Sequence, residues 1–327
     1  MNRIRLGVLA LAVLSTGWGV ESQAQAVIDR AWQAYLRVPT LTARYLREHV
    51  PDPRLLEQGM PFRRSLGEVS VKAGWVSLRL TEESVPAWSR TTFGNEPPWQ
   101  LVLGPARSEW FTGTTGRLTI RWLPAPGVDR STLPPLHGET EQHPIQRPFL
   151  HFTATGDWGE LQPARLGLAA RLAGGAGPAP QIADWRVLSQ DASSLTLERR
   201  FGRRGVSRDQ KQQIRRGPTE APLYRCQIIV DVSVATLPRI VRCETAADDP
   251  RLDTYREDYT YRTVGDAVVL ASCTTTLQPA GTVVGKVTLL SLETVQPAPE
   301  SAFHIDPAQA KSVYDETARM AIDIAGP

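Results

Sequence analysis

The sequence predicts an α+β protein built on a strongly curved antiparallel sheet, an open half-barrel of about ten strands with helices packed on its concave face. Three observations predict it. Short apolar–polar alternations fill most of the chain and follow one another in meander order, with turn residues between them. The alternation leaves one face of each strand polar, which suits antiparallel strands with one wet side. Helical spacing is confined to a stretch near each end and one mid-chain.

The elements run as follows. In residues 27–37, Ile28, Ala31, Trp32, Tyr35 and Leu36 share one helical face, and Pro39 ends the helix. Leu41, Ala43 and Tyr45 then alternate as a strand. Residues 51–66 are polar and proline-interrupted, hence a loop. Gly67–Lys72 and Val76–Leu80 alternate strictly, and Trp99–Leu103 and Arg107–Thr112 add two strands. Gly113 and Gly116 bracket a turn before Leu118, Ile120 and Trp122. Six prolines within 124–148 break any regular element, so this is a long irregular insertion. Residues 159–173 read as a helix stopped by Gly174–Pro178. Trp185–Leu188 and Leu195–Phe201 are strands. A basic loop follows, carrying Arg203, Arg204, Arg208, Lys211, Arg215 and Arg216. Cys226–Val232 and Pro238–Cys243 form a hairpin. A strand marked by Tyr255, Tyr259 and Tyr261 comes next, then Ala267–Leu277 and Val283–Val295. Asp306-Pro307 caps a final helix at about 308–322.

The first 26 residues have the layout of a cleavable export signal. Arg3 and Arg5 precede the apolar run Leu6–Leu14, a polar step follows at Glu21-Ser22-Gln23, and Ala24-Gln25-Ala26 fits the cleavage pattern. The run is shorter than the roughly 20 residues a membrane span needs. Gly17, Gly19 and the polar stretch after them argue against an uncleaved anchor. A periplasmic or otherwise exported protein is expected, not transmembrane. It is one domain over 27–327 with insertions at about 124–148 and 202–221. Without the signal the charge is 35 − 33 = +2, which gives no reason to invoke nucleic acid.

An oxidising compartment favours disulfides. Cys226 and Cys243 sit symmetrically about the expected turn near 234–235, which predicts a cross-strand disulfide between them; two buried thiols is the alternative. Cys273 then remains single.

Several short motifs in order carry a family resemblance. They are a Leu-Thr-Ala-Arg-Tyr strand at 41–45, Gly67-x-Val69-x-Val71-Lys72, Trp99–Val102 followed by Glu109-Trp110-Phe111, and Ile228–Asp231 with the return Leu237-Pro238-Arg239-Ile240. Asp258-Tyr259, the Gly265 turn and Phe303-x-Ile305-x-Pro307 complete the series. Together they resemble the envelope superfamily of the LolA and LolB lipoprotein carriers and the RseB-type sensor domain. The resemblance implies a half-barrel that binds lipid or lipoprotein acyl chains without catalysis, or the same scaffold used as a partner-binding or sensor module. The chain departs from the family at Lys72-Ala73-Gly74-Trp75 and Gly104-Pro105-Ala106-Arg107, so no ligand-contacting residue is carried over.

Candidate cavity-lining residues are Trp75, Val76, Leu78, Leu80, Trp99, Trp110 and Trp122; the same residues also read as ordinary sheet core. His137, Glu139, Glu141 and His143 would share one side of an extended strand and have the types to hold zinc. They lie in the proline-rich stretch, where such residues are usually solvated, and no metal or other cofactor is expected. The basic loop offers contact with anionic lipid or an envelope protein partner, or is simply solvated. No catalytic motif is recognised, and a glycosidase-type carboxylate pair is left open.

Overall fold

The computed structural model describes residues 20–34, 40–50, 63–72, 75–84, 99–104, 106–113, 115–122, 181–202, 223–247, 254–265, 267–294, 296 and 298–322. A helix, α1, occupies residues 20–34. The strands of the first part are β1 (Leu41–His49), β2 (Arg63–Lys72), β3 (Trp75–Ser84), β4 (Trp99–Leu103), β5 (Arg107–Thr112) and β6 (Arg117–Trp122). Those of the second are β7 (Arg186–Gln190), β8 (Ser194–Gly202), β9 (Leu223–Asp231), β10 (Arg239–Ala247), β11 (Thr254–Val264), β12 (Ala267–Gln278) and β13 (Thr282–Glu293). Two short strands, β14 (Ser312–Asp315) and β15 (Met320–Ile322), close the chain.

All fifteen strands form one open sheet in the order β15-β14-β6-β5-β4-β3-β2-β1-β13-β12-β11-β10-β9-β8-β7. Two meanders, β1–β6 and β7–β13, therefore meet where β1 pairs with β13, Thr42 opposite Glu293. Every pairing is antiparallel except β14 with β6. Register shifts interrupt β1/β13, β2/β3, β7/β8, β9/β10, β11/β12 and β12/β13. Bulges bend a strand and raise its twist, so they curve the sheet through its centre and second half. From β3 to β6 the ladders run without a shift.

The apolar face carries one continuous core. Alternate residues of nearly every strand enter it, including Val76, Leu101, Trp110, Leu195, Leu197, Ile228 and Ile240. α1 adds Ala24, Val27, Ile28, Ala31 and Trp32 at helical spacing. Its Gln25 Oε1 also accepts from the Ile182 backbone N–H at 3.0 Å.

On the opposite face the two meanders differ. After β13 the chain crosses back over the first meander through 3-10 turns at Glu300–Phe303 and Pro307–Gln309. Ile305, Ala310 and Val313 bury a second, smaller core with Val102 and Leu118, and Trp75, Phe111 and Ile120 pack against it. β14 then runs parallel to β6, which only such a crossover allows.

Three expectations need correction. Among the described residues the strands number fifteen rather than about ten, because each alternating segment forms its own strand and two more follow at the C-terminus. The final helix is absent. Asp306 does cap, accepting from Ala308 N–H at 2.9 Å, but for a single 3-10 turn. Pairing with β6 then holds 312–315 extended, and Asp315 accepts from Thr317 and Ala318 N–H at 2.9 Å to turn the chain into β15. Tertiary pairing overrides helix propensity there. The first helix begins earlier than expected and runs through the predicted cleavage point, with Ala24 fully buried. The mid-chain helix, the 124–148 insertion with its His-Glu-Glu-His group and the basic loop lie outside the described residues.

Candidate functional site

Strand alternation decides which candidate lining residues meet. Val76, Leu78 and Leu80 of β3, Trp99 of β4 and Trp110 of β5 all face the main core. Leu80 lies opposite Trp99, and Leu78 opposite Leu101, which in turn faces Trp110. The Trp99 and Trp110 rings stand 5.1 Å apart at 43°. Trp75 and Trp122 do not join them. Trp75 is one residue from Val76, so the pleat turns it to the opposite face, where it packs on the smaller core. Trp122 is 47% exposed, with the Arg107 guanidinium 5.8 Å from its ring centroid. Gly104 makes room for Trp75: a Cβ there would overlap the indole.

Polar groups break the apolar face at few points. The Tyr45 hydroxyl reaches from β1 past β13 to donate to Leu270 O at 3.1 Å, and burial pushes its phenol far up. Glu257 on β11 accepts from the Tyr259 hydroxyl and from Thr275 Oγ1 at 3.3 Å. It lies opposite Cys243.

All three cysteines are buried in this core as thiols. The Sγ atoms of Cys226 and Cys243 are 3.4 Å apart. They are not directly opposite, as the symmetric turn suggested. The bulge between Ile240 and Arg242 sets Cys243 against Ile228 and Cys226 against Thr245, which makes the two cysteines diagonal neighbours. Burial pushes the Cys243 thiol up, and the adjacent Cys226 and Glu257 push the same way. Cys273 lies opposite Tyr259, two strands from the pair. Among the described residues no group of three or more His, Cys, Asp or Glu is arranged to hold a metal.

Sequence reasoning missed the residue that anchors the crossing. Glu109 on β5 is 1% exposed and accepts from Ile305 N–H at 2.8 Å. Arg107 Nε approaches its other oxygen at 2.7 Å, an ion contact rather than an aligned hydrogen bond, and His304 Nδ1 lies 3.5 Å away. Further along, Lys72 pairs with Glu300, and Arg121 Nε donates to Glu316 at 2.8 Å. The one local signal was charge on a strand face expected to be wet.

No family model matches the chain, and no curated protein does. Solved structures do. A LolA superfamily protein from Nitrosomonas europaea is 13% identical, with 86% of this chain and 98% of that one covered at a TM-score of 0.37. A domain from Vibrio parahaemolyticus, described as an outer membrane lipoprotein-sorting protein, is 10% identical over 86% and 94% at 0.39. An uncharacterized conserved protein from Thermus thermophilus is 10% identical over 90% and 99% at 0.33. No helix among the described residues is long and apolar enough to cross a membrane.

Proposed function

We propose that this is a non-enzymatic, exported carrier that binds a lipid or lipoprotein acyl chain against the apolar face of an open half-barrel, with residues 1–26 removed as a signal and 27–327 acting as one domain. The observation that carries the reading is the continuous apolar face: a single lining runs from Trp110 on β5 to Leu195 on β8. Of α1, residues 27–34 remain after cleavage, about 12 Å of helix, while the eleven strands from β5 to β8 at roughly 4.8 Å spacing span about 50 Å. Among the described residues one short helix is a small cover for such a face, and an acyl chain would lie along Leu78, Leu80, Trp99 and Trp110. A chain of about ten buried methylenes gains roughly 8 kcal/mol before ordering costs.

Native mass spectrometry of the chain purified from a periplasmic fraction tests this. A dissociable lipid adduct and uptake of a fluorescent fatty acid, weakened by Trp110→Arg, support it. A clean apo mass with no uptake defeats it and favours a partner-binding or sensor module. We further propose that Cys226 and Cys243 pair on export while Cys273 stays reduced. Thiol titration of the denatured exported protein should count one free thiol per chain; three would refute the pairing.

A further inference from the structure

We infer that the corner of the polar sheet face formed by Arg186, Arg200 and Arg225 is a docking surface for the anionic headgroups of a membrane. Arg200 on β8 stands directly opposite Arg225 on β9. Like charges in that position destabilise a sheet, so the pair has no structural justification of its own. Arg186 joins them from β7, opposite Glu198. The Glu198 carboxylate sits among them and pairs with two, while Arg225 acts on it through space. Glu198 takes a contact from Arg186 at 3.1 Å and one from Arg200 at 3.7 Å, and Gln227 Nε2 donates to it at 3.0 Å. The corner therefore keeps two positive charges in excess. Arg186 and Arg200 carry them into solvent, at 71% and 64% side-chain exposure.

The surroundings favour a plane of phosphates over a protein partner. Protein interfaces centre on apolar or aromatic anchors. Arg186, Glu198, Arg200, Arg225 and Gln227 supply none, whereas an anionic bilayer needs only accessible cations. Among the described residues β7 is the last strand of the sheet, so this corner lies at its edge.

Co-sedimentation of the full chain with vesicles of phosphatidylglycerol and phosphatidylethanolamine tests the inference against pure phosphatidylcholine vesicles. Binding is expected only to the anionic vesicles and is released at about 1 M salt. Arg186→Gln alone should weaken it roughly fivefold, and the triple Gln variant by about a hundredfold. The triple Lys variant should bind like the parent, and Arg79→Gln, an exposed change on β3, should leave binding unchanged. Arg200→Gln should raise the melting temperature while it lowers binding, because it removes the like-charge pair. Equal binding to both vesicle types, undiminished binding by the triple Gln variant, or capture of an acidic polypeptide but not of vesicles would overturn the inference. Fatty-acid uptake is a separate readout, so the carrier reading and this one can fail independently.

Discussion

Glu109 and Glu198 make the same move in two different settings. Each is a carboxylate on the non-core side of the sheet, each is barely accessible, and each has arginine beside it. Glu109 is sealed by backbone: the crossing segment lays Ile305 over it. Among the described residues Glu198 is contacted by the side chains of Arg186, Arg200 and Gln227, which water can displace. The first meander is thus a three-layer structure at β3–β6, with a core on both faces. Among the described residues the second has one core, and its other face carries a polar ladder continued by Arg242 and Arg256 sharing Asp258 at 2.7 Å each. Strand alternation is alike in the two halves. What differs is whether a later piece of chain returns to cover the wet side.

That contrast can be broken in order of expected effect. On the shared core both halves should behave alike: Leu101→Ala and Leu197→Ala should each cost about 2–5 kcal/mol in urea unfolding. A negligible cost in either would mean the core is not continuous. On the other face they should diverge. Glu109→Ala strands Arg107 and the Ile305 N–H, and should cost about 3 kcal/mol. Glu198→Ala should cost less than about 1 kcal/mol, because its partners rehydrate; equal losses would erase the distinction. Gly104→Ala should cost about 1–3 kcal/mol by forcing Trp75 off its seat, visible as a shift in tryptophan emission.

Acid should act on the second half first. The Gln227 hydrogen bond holds the Glu198 carboxyl below its usual range, helped by three arginines and opposed by burial. At Asp231 and Asp258 burial pushes upward, but Ser233 and Arg239, and Arg256 and Arg242, outweigh it. Asp191, in the β7–β8 turn, is drawn to about 2 chiefly by the Ser193 backbone N–H, then by the Ser193 hydroxyl and Ser194. A depressed carboxyl stabilises the fold fully above its unfolded value, near 4, and loses that contribution as pH falls through the folded value. Hydrogen exchange between about pH 4 and 2 should therefore accelerate in β7–β11 before β3–β6. The reverse order would show that these pairs contribute little.

Strands and their facing were legible because period-two alternation is local. β4 and β5 match their expected bounds residue for residue, and five of seven lining candidates meet. Trp75 was misread against its own alternation with Val76. The C-terminal strands, the second core and the burial of Glu109 were not legible, because each depends on β14 reaching β6, nearly two hundred positions away. The cysteine register failed by two positions, one from where the turn falls, with Arg239 opposite Asp231, and one from the bulge after Ile240.

The seam between the meanders also governs how the chain assembles. Synthesis delivers the N-terminus first, yet β1 finds its second neighbour only when β13 arrives, more than two hundred positions later. Until then one side of β1 is an open hydrogen-bonding edge. Contacts this distant in sequence slow folding, and the waiting edge can recruit the wrong strand. Arg44, Arg47 and Glu48 charge that edge along its length, a built-in guard for the interval before the last third of the chain is free.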